Sequence, residues 1–379
     1  MNNLTINDTW DMSCDGSFNM SREAAMLLSY SEAQVLVITI FLPIVLIIGL
    51  INNIAFIYVV VRVQCMKTIT NTCLVHLALS DLIFLTIAIG DKIWAYVNSP
   101  INPDHSHLGL AGCIIVELTV NTTYFAALFF VTLVALERFY AVCRPQKERG
   151  MKAMRTFRWL QLGSWATAAL LSATFIPAYS KITTLCASWP EGEPFQTWPE
   201  KFQWCSPVKA WTRDYTESVR AIPFFVAFFI NVFLFAGIVR GLNKAVERAR
   251  LTGKRDKNIK LRNQITWMLI VNGLVFFLCL APFEIISILK AVGKYDTTTM
   301  SEEIGMQFSQ MLAYLNSLIN PVIYTAMSTR YRAAFINGLL PAQCRQRWQS
   351  IGFQNSTGHI SMTNSNIHNH HEHVNGKHA

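Results

Sequence analysis

The stretch QVLVITIFLPIVLIIGLINNIAFIYVVVR, residues 34–62, runs to Arg62 before it meets a charged side chain. A helix rises about 1.5 Å per residue, so about 20 apolar residues cross the roughly 30 Å hydrocarbon core of a bilayer. This run is long enough to span. Six more follow, at 70–96, 110–142, 156–179, 215–240, 262–291 and 303–327. Pro223, Pro282 and Pro321 fall inside the last three. There a soluble helix would break, whereas a membrane helix kinks and its freed carbonyls are met by neighbours or water. The chain has 379 residues, of which 52% are hydrophobic and 15% charged; a soluble domain carries roughly 25% charge. The reading is an all-α membrane protein: a seven-transmembrane helix bundle with a short amphipathic helix after the seventh span.

The loops orient the bundle. Residues 144–158 carry Arg144, Lys147, Arg149, Lys152, Arg155 and Arg158 against Glu148, and residues 240–262 are equally basic. Basic loops of this length stay cytoplasmic. An odd number of spans then puts the N-terminus outside, where Asn3, Asn7 and Asn19 head glycosylation sequons. The segment STRYRAAFINGLL alternates basic and apolar residues at helical spacing, as in a helix lying on the inner membrane face, and Cys344 beyond it is a palmitoylation candidate. The chain thus divides into an extracellular glycosylated N-terminus (1–33), a seven-transmembrane domain (34–327), an amphipathic membrane-surface helix (328–344) and a disordered cytoplasmic tail (345–379). No basic, cleavable signal peptide is read at the start. The expected location is the plasma membrane, with membrane lipid as a partner.

The net charge of +9 does not read as nucleic-acid binding, because the Lys and Arg lie between apolar runs on alternate sides. The nine cysteines show no zinc spacing, so no structural metal is expected. His368, His370, His371 and His373 read as a solvated low-complexity tract rather than a metal site.

Ionisable groups inside a bilayer are costly and so are functional candidates, and Asp81, Glu137, Arg138 and Glu284 stand out. They fall in a pattern: Leu77-Ala-Leu-Ser-Asp81 on the second span, Glu137-Arg138-Phe139 ending the third, and Asn320-Pro321-Val-Ile-Tyr324 on the seventh. Asn53, Trp165, Pro223 and Pro282 add one landmark each to the first, fourth, fifth and sixth. In order and placement this resembles the rhodopsin-like (class A) G-protein-coupled receptors, over residues 34–344, and most of all their neuropeptide receptors.

The resemblance implies a cell-surface receptor, not an enzyme, that signals through a heterotrimeric G protein and recruits arrestin, with Ser356, Thr357, Ser361, Thr363 and Ser365 as phosphorylation candidates. It implies a disulfide from Cys113 to Cys205, with Cys186 as the rival partner; whether Cys186 pairs with Cys14 or stays free is left open. It implies an activation switch of Glu137, Arg138, Phe139, Phe276, Pro282, Asn320, Pro321 and Tyr324, two packings exchanged as the sixth span swings. Asn53, Asp81, Asn316, Ser317 and Asn320 resemble the polar core that holds an allosteric sodium ion. No other cofactor is implied. Ala127 replaces a serine usual near that core. Leu280 stands where the family's CWxP motif has tryptophan, Asn231 where a tyrosine supports the active state, and Arg262 where some members carry an acid that locks Arg138. Asn231 and Arg262 together predict appreciable ligand-independent activity.

For the ligand, Val120 stands where amine receptors carry an aspartate, and Tyr314 where opsins need a lysine for retinal. The remaining pocket candidates are Asp91, Trp94, Glu117, Val120, Asn121, Arg220, Phe283, Glu284, Gln310 and Tyr314, with Lys290 nearby and Trp189, Trp198, Trp204 and Trp211 around the mouth. A wide, aromatic, mixed-charge mouth suits an extracellular peptide. A lipid or small-molecule ligand is the alternative within the class, and a transporter or channel the alternative outside it, although neither repeats nor a continuous polar path is visible. Glu284 is read either as an acceptor for a cationic ligand group or as an internal partner of Arg220, and His76 as a packing residue.

Overall fold

The computed structural model describes residues 5–6, 14–102, 104–143, 151–251, 257–295 and 300–339, with the backbone alone at 5–6, 151–154, 249–250, 257–262 and 300–303. The unit Met1–Gly338 holds every described residue but Leu339; the rest of the second unit, Leu339–Ala379, lies outside the described residues. So do Asn3, Asn7, Cys344 and the tail.

The first span is one continuous run, Glu32–Arg62. Ser31 and Gln34 open it with a reciprocal capping box at 2.9 and 3.3 Å. A single π turn, Val37–Phe41, then absorbs Pro43, which has no N–H to continue the ladder. The second span is Ile69–Asn98, capped by Thr68, whose hydroxyl accepts from the Asn71 N–H at 3.2 Å. The third is Gly109–Cys143, the fourth Met151–Ala173, the fifth Trp211–Leu251, the sixth Lys257–Ala291 and the seventh Met300–Met327. The sixth stops at Gly293, whose φ of 67° suits glycine; the N–H groups of Gly293 and Lys294 return to Lys290 and Leu289 at 2.9 and 2.8 Å.

Among the described residues, five of these helices (the first, second, third, fifth and sixth) are long and apolar enough to cross a bilayer by length and composition alone. The fourth and seventh are diluted by polar side chains such as Gln161 and Ser164, or Gln307, Ser309, Gln310 and Asn316. Several of these turn toward the other helices: Gln161, Ser309 and Asn316 are buried. The spans share one core in which Phe56, Leu77, Phe125, Phe130, Phe224, Phe276 and Tyr324 meet. Helices approach closely where side chains are absent: a Cβ on Gly237 of the fifth span would stand 2.4 Å from Phe139 of the third. A surface helix, Thr329–Leu339, follows the seventh span; its Tyr331 packs 5.6 Å from Tyr324 and donates to Asn71.

At the N-terminal end of the bundle lies a structure absent from the sequence reading, a four-stranded sheet ordered β1 (Thr5–Ile6), β2 (Gly16–Asn19), β3 (Lys181–Ser188) and β4 (Lys201–Ser206). The segment joining the fourth and fifth spans is thus a hairpin, with β3 and β4 antiparallel and Ile182 opposite Cys205. The chain's N-terminal strand β2 lies parallel to β3, with Ser17 opposite Cys186. Two disulfides fasten it: Cys113–Cys205 ties the third span to β4, and Cys14–Cys186 ties the N-terminal segment to β3, with Cα–Cα distances of 5.8 and 5.9 Å. Trp189, Phe195, Trp198, Phe202 and Trp204 form a second small core with Ala25 and Ile101. Trp189 and Trp198 meet edge to face at 4.9 Å.

Candidate functional site

Below the sheet the spans part around a cavity of about 350 Å³. Of the residues expected there, Asp91, Glu117, Val120, Asn121, Arg220, Phe283, Gln310 and Tyr314 line it, and Lys290 joins them. A second lobe of about 180 Å³ shares Asp91, Lys92, His105, Gln310 and Tyr314 with the first and runs on between the first, second and seventh spans to Tyr30 and Gln34. The structure does not bring two expected residues to these walls. Trp94 projects away from the bundle and is 59% exposed, and Glu284 is 0% exposed behind Arg220. Three of the loop tryptophans, Trp189, Trp198 and Trp204, pack in the small core, whereas Trp211 is exposed at the start of the fifth span.

Several of the cavity's charged groups have close partners. Arg220 bonds Glu217 on its own helix, donates to Ser287 Oγ at 2.7 Å and stacks its guanidinium 4.7 Å from the Phe283 ring. Its Nε stands 4.0 Å from Glu284 Oε1. The Tyr124 hydroxyl adjoins Glu284 without hydrogen-bonding geometry. Asn121 donates to the Glu117 carboxylate at 3.3 Å, and His107 Nε2 lies 3.3 Å from Asp91. At the rim, burial together with Asp104 and Asp91 pushes the Tyr30 hydroxyl up to about 12. Burial lowers His105 below the usual imidazole range, with Asp91 opposing it.

At the opposite end of the bundle, Arg138 holds both oxygens of Glu137, Nε to Oε2 at 2.5 Å and Nη2 to Oε1 at 2.6 Å. Thr70 of the second span completes the group: it donates to Glu137 at 2.9 Å and accepts from Arg138. Of Arg262 only the backbone is described. Midway, Asn320 donates to Asp81 at 2.8 Å, and Asn53 donates to the Ser317 carbonyl at 2.9 Å. His76 is a packing residue, stacked 5.0 Å from Phe130 and accepting from Trp165 at 3.3 Å.

Residues 52–324 match the family described as 7 transmembrane receptor (rhodopsin family). The chain belongs to this family of rhodopsin-like receptors. Among curated proteins it is similar to an allatostatin-A receptor of Bombyx mori, with 26% identity over 306 residues, 79% of this chain and 78% of the relative. The receptor is a multi-pass membrane protein and not an enzyme.

In this receptor, Leu280 at the CWxP position closes the cavity floor as an apolar wall. The aromatic contact between the fifth and sixth spans is made instead by Phe277, 5.5 Å from Phe224 and 5.6 Å from Phe228. Phe276 is expected here from the sequence, whereas Phe224, Phe228 and Phe277 are not; the paired phenylalanines at 224–225, 228–229 and 276–277 are the signal that marks them. Asn231 ties the fifth span to the third, donating to Thr132 Oγ1 at 2.8 Å.

Proposed function

We propose that the receptor is activated by an extracellular peptide and passes the signal to a heterotrimeric G protein. The observation that carries this reading is the two-lobed cavity, whose walls set Asp91, Glu117 and Glu217 among Lys92, Arg220 and Lys290. An acyl chain has no use for six charged side chains, whereas a peptide offers cations, amides and aromatic rings to match them. The similarity to an allatostatin-A receptor supports the same class. In this reading the sheet end, with its two disulfides, faces the oxidising exterior of the plasma membrane, and Asn19 carries glycan.

Several finer readings go with it. Arrestin engages the phosphorylated tail, Cys344 is palmitoylated, and membrane lipid covers the exposed apolar faces of the spans. A sodium ion fits the polar core: Asp81 supplies a carboxylate, and Asn53 Oδ1 and Asn316 Oδ1 are buried oxygens with no hydrogen-bond partner among the described residues. Ala127 withholds a hydroxyl there, so the affinity is expected to be weak.

The test is a calcium and cyclic-AMP assay of cells expressing the full chain, challenged with an amidated-neuropeptide library and, in parallel, with lipids and metabolites. A sub-micromolar peptide response is the expected result. Silence to peptides with a response to a lipid or metabolite would replace the reading with its small-molecule alternative.

A further inference from the structure

Glu217 is the residue on which the cavity's charge pattern turns. It and Arg220 lie three apart on the fifth span, bond each other, and face the cavity together. Arg220 has two further attachments, both on the sixth span. It donates to Ser287 Oγ at 2.7 Å, and its Nε lies 4.0 Å from Glu284 Oε1, one turn along the same helix. The second approach is incomplete: among the described residues the Tyr124 hydroxyl adjoins Glu284, but neither Glu284 oxygen nor Arg220 Nε meets a partner with hydrogen-bond geometry. Among the described residues the cavity sets Asp91, Glu117 and Glu217 among Lys92, Arg220 and Lys290, with Glu284 behind Arg220. A buried carboxylate left without a partner is costly.

We propose that Glu217 accepts a cationic group of the ligand, a guanidinium or an ammonium, and that its capture hands Arg220 from Glu217 to Glu284. The source of the cation rests on the peptide-receptor reading; the hand-over does not. The Glu217–Arg220 bond lies within one helix and is indifferent to how the helices sit. The Arg220–Glu284 bond crosses from the fifth span to the sixth, two residues beyond the kink at Pro282. Exchanging the first for the second is a contact that differs between two packings, which is what a ligand must supply to shift their populations. Phe283 keeps the guanidinium in place from one face while it changes partners. The device stands one turn above Leu280, where the family's tryptophan is missing. A neutral ligand would leave Glu217 and Arg220 paired.

The hand-over is tested without ligand, by nucleotide exchange on G protein in membranes carrying the full chain at matched surface density. Glu217→Gln removes the pull on Arg220 as the ligand's cation would, and basal exchange is expected to rise at least threefold. Adding Glu284→Gln removes the destination, and the rise is expected to vanish. Unchanged exchange in Glu217→Gln, or a double variant as active as the single one, overturns the proposal. Should Glu217→Gln fail to reach the surface, Glu217→Met removes the same charge at similar length and is read by the same two outcomes.

The cation is tested with a peptide that responds in the library, re-synthesised with citrulline for arginine or norleucine for lysine. A loss of about tenfold in potency on the wild type, and none on Glu217→Gln, is expected. Equal losses on both would place the cation elsewhere and overturn the Glu217 assignment. Silence to all peptides would sink the peptide reading while leaving the hand-over to its own ligand-free assay.

Discussion

Arg138 is held by a carboxylate on its own helix and a hydroxyl on the second span, so the group can be opened one atom at a time. Glu137→Gln keeps the shape and removes the charge that makes these bonds strong. With a charged hydrogen bond contributing roughly 1.5–3 kcal/mol, basal second-messenger output should rise severalfold at matched surface expression; output equal to that of wild type would mean that the pair does not restrain the receptor. Glu137 and Arg138 were legible because adjacent charges at the end of an apolar run have few bland explanations. Thr70 was not, because a bond between the second and third spans depends on how two helices rotate, which neither run records. Glu284 shows the same limit. Its sequence marks it as buried and ionisable, but a fraction of a turn decides whether it lies on the cavity wall or behind Arg220, and it lies behind. Trp94 was misread in the same way, since an aromatic residue at a helix end serves a mouth or faces lipid with equal chemistry.

Among the elements, the spans were readable and the sheet was not. The apolar runs located the helices but understated them; the fifth, expected at 215–240, runs from Trp211 to Leu251 because a helix outlasts the bilayer wherever its residues still favour it. The hairpin is short, and its inward side chains pack against a helix and a loop distant in sequence, so alternation alone did not announce it. His105 joins this element to the bundle. Its backbone N–H donates to the Gln203 carbonyl at 2.6 Å, and its Nδ1 accepts from the Cys205 N–H at 3.5 Å, with Asp91, Asp104, His107 and Lys92 around it. Burial lowers its pKa, so the folded form binds a proton less readily than the unfolded chain does. The stability that this group contributes is therefore constant above about pH 7 and falls as pH drops through the ordinary imidazole value near 6.5, until the folded value is reached. Purified receptor in nanodiscs should unfold a few degrees lower at pH 5.5 than at pH 7.5, and His105→Asn should reduce that difference. An unchanged difference in the variant would assign the acid sensitivity to other groups.

Taken whole, the molecule carries a charged cavity at its sheet end, a restrained arginine at the other, and a polar core around Asp81 between them. Its sheet is joined to the bundle and to the N-terminal segment by separate bonds, and these should fail separately. Cys113–Cys205 anchors the hairpin to the third span, whereas Cys14–Cys186 holds only the segment that carries β2. That segment has other attachments: Asp15 N–H to the Thr184 carbonyl at 2.8 Å, Met20 N–H to the Ser188 carbonyl at 3.0 Å, and Arg22 to the Glu193 carbonyl at 3.2 Å. Exposed hydrogen bonds contribute roughly 1 kcal/mol each, too little to hold a terminal strand permanently once the covalent tie is gone, because fraying costs only local contacts. Replacing Cys14 and Cys186 with serine should therefore leave surface expression and the helices intact but let the strand open. Arg22 is exposed in the wild type but sits at the start of a helix, 5.7 Å from the Phe195 ring, and the opened segment would let its peptide bond extend into trypsin. Cleavage there should be at least tenfold faster in the double-serine receptor, and a responding agonist should dissociate faster as the rim above Tyr30 and Gln34 loosens. If Arg22 is cut at the same rate in both proteins, the hydrogen bonds and packing hold the strand by themselves, and the disulfide has no part in closing the mouth.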